Sequence, residues 1–141
     1  MSQQRQTANG SPGNQDAISA ATIAAVQRWG EAVNRQDLDG VMAAMTEDCV
    51  FDASYPQPDG TLFQGQEAVR AVWEEFFRRS PHSVFETEEM SASGDRCIFR
   101  WVHRWIDDDG KPAHSRGIDV MRVREGKVAE KLVYYKRGSP R

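Results

Sequence analysis

Apolar residues recur at helical spacing through residues 17–35, AISAATIAAVQRWGEAVNR. Ile18, Ile23, Val26, Trp29 and Val33 fall near one stripe, which predicts an amphipathic helix. A short second helix is expected over Leu38 to Met45, with Asp37 as its N-cap. A third is expected over 66–79, where Val69, Val72, Trp73, Phe76 and Phe77 make the apolar face. Beyond it the period shortens to two. Strands are predicted at 49–55, 83–92, 96–106, 114–124 and 127–136, and QPDGTLFQG at 57–65 reads as a tight turn with a short return strand. Ser93-Gly94-Asp95, Asp108-Asp109-Gly110 and Glu125-Gly126 supply the turns of an antiparallel meander. Helices first and a curved antiparallel sheet after them predict an α+β domain with three N-terminal helices packed on one face of the sheet.

Residues 1–16 are rich in Gln, Ser, Gly and Asn and offer almost nothing to bury, so a disordered tail is expected there. A flexible tail is expected at 138–141, leaving a single domain over 17–137. The net charge of −3 supplies no basic field, which argues against nucleic acid as a partner. No apolar run approaches the roughly 20 residues that span a bilayer. The N-terminus carries no apolar stretch of the signal-peptide kind, so a cytoplasmic setting is expected, with Cys49 and Cys97 as free thiols. There is no phosphate-binding glycine loop, and three histidines without close carboxylate spacing make a poor metal site. No cofactor or metal is therefore expected. The acidic run Asp107-Asp108-Asp109-Gly110 reads as a hairpin turn.

Strand alternation assigns the candidate chemistry. In GIDVMRV, Gly117, Asp119, Met121 and Val123 share one face. If that face lines the interior, Asp119 is poorly solvated and its pKa rises, as suits a general acid. No neighbour on that face, nor Phe99 and Trp101 opposite, brings a compensating positive charge. In CIFRWVHRWI, Cys97, Phe99, Trp101, His103 and Trp105 share the pocket-facing side. His103 is a candidate acid/base group, or a core histidine. A three-residue loop at 108–110 sets Phe99 across from Asp119 and His103 across from Ser115. His103 and Asp119 then share a face but stand on the order of 13 Å apart, too far to bond. Trp29 offers a donor-only indole N–H, or simply core bulk. Tyr55 shares the parity of Phe51 and Ala53 and is expected at the pocket mouth. Tyr134 and Tyr135 alternate, and alternation alone leaves open which faces inward. Phe99, Trp101, Met121 and Tyr135 complete the expected lining. Ile98, Val102, Ile106, Ile118 and Val120 fall on the outer face, which predicts a homodimer through the sheet.

The order of elements resembles the nuclear transport factor 2-like superfamily, a cone-shaped α+β barrel. AVQRWGEAVNRQDLDGVMAAMTEDCVF is similar to its first two helices and first strand, and GQEAVRAVWEEFF to its third helix. SRGIDVMRVREGKVAEKL is similar to its last hairpin, especially in SnoaL-like proteins. The steroid isomerases of that group place a tyrosine where this chain has Trp29, a basic aspartate where it has Ala53, and a proton-donating aspartate at Asp119. In ketosteroid isomerase that last carboxyl is held neutral by an apolar site. SnoaL-type cyclases use the Asp119 position as acid/base. The epoxide hydrolases' further acid falls near Val133. The resemblance thus keeps an acid and lacks the isomerase base. Two classes stay open. One is a cofactor-free enzyme moving a proton beside a carbonyl of a small apolar ligand (isomerase, cyclase or dehydratase type). The other is a non-catalytic binding or dimerisation module.

Overall fold

The structure is a computed structural model and describes residues 12–136, with side chains from residue 14 onward. Helix α1 spans Pro12–Arg35, α2 Leu38–Ala43 and α3 Gln66–Arg79. The strands are β1 Met45–Ala53, β2 Thr61–Gln64, β3 Val84–Ser93, β4 Arg96–Ile106, β5 Pro112–Arg124 and β6 Lys127–Lys136. They form one six-stranded sheet in the order β2-β1-β6-β5-β4-β3.

The third helix and the four long strands stand where periodicity puts them. The bounds of α1, α2 and β1 differ. Helix α1 begins at Pro12, so residues 12–16 are helical rather than part of a disordered tail. Proline fits the first turn of a helix, where its missing N–H has no partner to lose. The rest of that expected tail, 1–11, and the expected tail at 138–141 lie outside the described residues. Helix α2 stops at Ala43, and β1 starts at Met45 and ends at Ala53, earlier than expected at both ends. Asp37 caps α2 as expected, its Oδ1 accepting from Gly40 N at 2.9 Å.

β3 to β6 are the predicted meander, and β1 joins it by pairing parallel to β6. α1 runs across the concave face and is tied to β3 and to the turn that follows it. Thr22 Oγ1 donates to Gly94 O at 2.7 Å, and Ser19 Oγ accepts from Gly94 N at 2.9 Å. At the other end the Asn34 amide pairs with both backbone groups of Phe85, as a strand residue would. Gln66 holds α3 against the α2–β1 junction by donating to the carbonyls of Met42, Met45 and Thr46. The core lies between sheet and helices, with Val26, Trp29 and Val33 from α1 and Val69 and Trp73 from α3. The outer face of the sheet is laced with ion pairs. Glu88 and Glu89 of β3 pair with Arg100, Glu88 also with Arg116, and Glu86 with Arg104. Val102, expected on that outer face, is buried; Glu86 and Arg116 lie directly across from it on either side.

Candidate functional site

The β4–β5 register sets Phe99 against Asp119 and His103 against Ser115, as the hairpin loop predicts. Asp119 therefore points into the cone, where it is 2% exposed. It is not alone there. Lys131 of β6, 5% exposed, donates from Nζ to Asp119 Oδ1 at 3.3 Å. The expectation that no positive charge reaches Asp119 is thus overturned.

The cause is one residue of backbone. From the Glu125-Gly126 turn, Val123 pairs with Val128 but Arg122 pairs with Glu130. Ala129 is the extra residue of a β-bulge, and a one-residue shift moves every later side chain to the other face. Counted without the bulge, Lys131 would sit across from Val120 and face outward. With it, Lys131 sits across from Met121 and faces inward. The same shift turns Tyr135 inward, across from Gly117, and leaves Tyr134 59% exposed.

Aromatic rings wall the pair. Lys131 Nζ lies 4.6 Å from the Phe51 ring centroid and 5.7 Å from those of Trp29 and Trp73, within cation–π range. Phe51 stacks on Trp73 and Trp29 meets Trp73 edge-on. Trp101 closes the other side. Its indole N–H leans on the Asp119 carboxyl enough to favour the charged form, without reaching hydrogen-bond geometry. Burial pushes the Asp119 carboxyl above the ordinary range, and Lys131 pulls it partly back. Burial likewise pushes the Lys131 ammonium below its ordinary range, and Asp119 partly restores it. The two affinities for a proton therefore move toward each other. Cys97, beside Asp119, is driven up to about 11 by burial first and the carboxylate second, and stays a thiol.

His103 stands nearer the open end. It stacks on Phe85 at 4.4 Å and lies 4.8 Å from Trp105 and 5.6 Å from Phe76. Burial lowers its pKa to about 4, so at neutral pH it is an uncharged imidazole. It does not meet Asp119, in keeping with the expected spacing. Past Trp105 the surface carries a concavity of about 270 Å³, lined also by Arg79, His82 and Asp107. A second, of about 740 Å³, lies between Asp39, Asp48, Arg70 and Arg124, and neither is lined by Asp119.

Trp29, Phe99, Trp101 and Met121 are all brought to the interior with Asp119, as core residues in close contact. Tyr55 is not. It is 70% exposed, because β1 ends at Ala53 and strand parity no longer applies two residues later. The interior is nonetheless polar in an unusual way. The indole N–H of Trp29, Trp73 and Trp101 and the Nε2 of His103 are all buried without a partner. Folded chains leave few such groups, and each costs about 1–3 kcal/mol. Sequence reasoning missed Lys131, Trp73 and Phe51 as walls of this site; for Lys131 the only signal was its parity with Val133 and Tyr135. Among the described residues, no three of His, Cys, Asp and Glu are grouped to hold a metal ion. No described helix is long and apolar enough to cross a membrane.

Solved structures share this architecture. A nuclear transport factor 2-like protein of unknown function from Mesorhizobium loti is 29% identical, with a TM-score of 0.71 over 84% of this chain and 93% of that one. RV0760c from Mycobacterium tuberculosis, solved in complex with estradiol-17β-hemisuccinate, is 26% identical, with a TM-score of 0.70 over 82% of this chain and 94% of that one. An uncharacterized cystatin-fold protein from Novosphingobium aromaticivorans is 20% identical, with a TM-score of 0.68 over 80% and 97%, a likeness of fold alone. No curated protein matches the chain in sequence. The SnoaL-like domain matches residues 26–131, from α1 through Lys131 itself, and the chain belongs to that family, within the nuclear transport factor 2-like superfamily.

Proposed function

We propose that the cone interior admits one small, largely apolar carbonyl compound and moves a proton beside its carbonyl, with Asp119 and Lys131 as the acid/base pair and no cofactor. The observation that carries this is the 3.3 Å contact between the two groups, closed off from water among Phe51, Trp29, Trp73 and Trp101. A carboxyl and an amine whose pKa values are driven together provide both a donor and an acceptor within one ligand's reach. The unpartnered indole N–H groups fit oxygens that a ligand would bring. The row Trp105, His103, Phe85 and Trp101 is a continuous aromatic path inward from the 270 Å³ concavity. That RV0760c, of related fold, was solved in complex with estradiol-17β-hemisuccinate supports a ligand of this size and character. A reducing, cytoplasmic setting fits the two free, buried cysteines.

The test follows exchange of α-protons for deuterium in estrone and 1-tetralone, with ligand entry read from quenching of the interior tryptophans. The proposal expects exchange above the buffer rate, lost in Asp119→Asn and Lys131→Met. Ala53, where the isomerase group places its base, favours a second reading as a binding module. Quenching by both ketones with exchange at the buffer rate would establish that reading instead.

A further inference from the structure

We propose that Lys131 is a covalent anchor, its amine condensing with an aldehyde or ketone to form a Schiff base held against Asp119. This rests on the reading that the interior admits carbonyl compounds. The chain has only four lysines against fourteen arginines. Lys111, Lys127 and Lys136 are exposed, so the one lysine carried inside is Lys131. An arginine there would be permanently charged and bidentate toward a carboxylate, whereas a lysine can give up its proton and attack. The pair is also a loose lock. Its single contact of 3.3 Å is longer than the roughly 2.7–2.9 Å of a tight charge-assisted bond. The amine is therefore held close to Asp119 without being consumed by it, at the focus of three rings.

The step balances within the pair. With the shared proton on Asp119, the free Nζ lone pair attacks the carbonyl carbon, and the C=O π electrons move to oxygen. One proton passes from nitrogen to that oxygen through the Asp119 carboxyl, giving a neutral carbinolamine. The Asp119 proton then goes to the hydroxyl, the C–O bond breaks, water leaves and the C=N bond forms. A neutral acid, a neutral amine and a carbonyl become a carboxylate, an iminium and one water. The iminium carries its positive charge where the ammonium stood, facing the same carboxylate and rings, so no new charge has to be accommodated. Burial that keeps water out also slows hydrolysis of the product.

The full-length protein is incubated with benzaldehyde at neutral pH, first alone with indole fluorescence as the readout, then with cyanoborohydride, and mapped by peptide mass spectrometry. The expected result is one benzyl group per chain, on Lys131, formed about tenfold faster or more than on the exposed lysines, because the rate follows the free-amine fraction. Asp119→Asn, which cannot deliver the proton, should slow labelling of Lys131 while leaving the other three lysines unchanged. Quenching by benzaldehyde with modification confined to Lys111, Lys127 and Lys136 would overturn the covalent step and leave the binding reading standing. Neither quenching nor labelling of Lys131 would remove both.

Discussion

Lys131 Nζ and Asp119 Oδ1 stand 3.3 Å apart with their side chains 7% and 2% exposed, from strands joined by a two-residue turn. Removing one member of such a pair strands the other in an apolar site, at a cost of roughly 3–5 kcal/mol, whereas replacing both by apolar residues is often neutral or stabilising. Asp119→Leu and Lys131→Met should each lower the urea midpoint sharply, and the double variant should recover most of the loss. Additive losses in the double variant would show that the two side chains act independently.

Variants that remove one charge of the pair, Lys131→Met and Asp119→Asn, should respond to pH with opposite signs. In Lys131→Met, Asp119 keeps a raised pKa because burial dominates it. The folded state then binds the proton more tightly than the unfolded state. Stability is full below the ordinary value of 3.8 and is lost as pH rises through the raised folded value. In Asp119→Asn, Lys131 keeps a lowered pKa. The unfolded state now binds the proton more tightly, so stability is present above 10.5 and is lost as pH falls through the folded value. Parallel pH profiles for the two variants would contradict this assignment.

Gly117 is the floor on which Trp101 lies. A Cβ at 117 would stand 2.4 Å from Trp101 Cη2 and 2.6 Å from Tyr135 Cβ, one on each neighbouring strand. Trp101 also meets Phe85 edge-on at 5.1 Å, so it has little room to retreat. Gly117→Ala should cost about 1–3 kcal/mol by overpacking and tilt the indole away from Asp119. Calorimetry and near-ultraviolet circular dichroism check both. An unchanged melting curve would mean the indole gives way freely.

Much of this fold was legible because period-3.6 and period-two patterns are long and uninterrupted in 66–79, in 96–106 and in 114–124. The β4–β5 register followed from one hairpin loop, and with it the inward face of Asp119. What parity could not supply was any feature resting on a break in parity. Ala129 adds one residue to β6, and that residue decides that Lys131 and Tyr135 face inward. Tyr55 failed for the converse reason, since alternation was extended past the end of its strand. The parallel pairing of β1 with β6 was equally hidden, because it joins segments more than seventy residues apart.

The outer face of the sheet should still serve as a dimer interface. Ile106 and Tyr134 stay 55% and 59% exposed there, and Ile98, Ile118 and Val120 are half-buried between the ion-paired arginines. Two-fold pairing would cover these groups while the arginines keep their own partners. Sedimentation equilibrium should give about twice the 15.9 kDa chain mass. Ile106→Lys with Tyr134→Glu should shift the protein toward monomer, and a monomeric parent at micromolar concentration would rule the interface out.

His103 should make the protein sensitive to mild acid. Its ring is held flat against Phe85 with planes 13° apart, its Nε2 is buried without a partner, and burial lowers its pKa from 6.5 to about 4. The folded state keeps the imidazole neutral while the unfolded state protonates it near 6.5. Stability from this residue is present above 6.5 and is lost as pH falls toward about 4. His103→Phe keeps an aromatic ring over Phe85 and removes the titration. Urea midpoints for parent and variant should lie close together at pH 7 and separate in the variant's favour between pH 6.5 and 4. Acid titration of carboxylates elsewhere affects both proteins alike, so the difference isolates His103. Two curves that stay parallel through that window would mean the imidazole takes up its proton in the folded state, reaching water or an acceptor at the mouth of the cone.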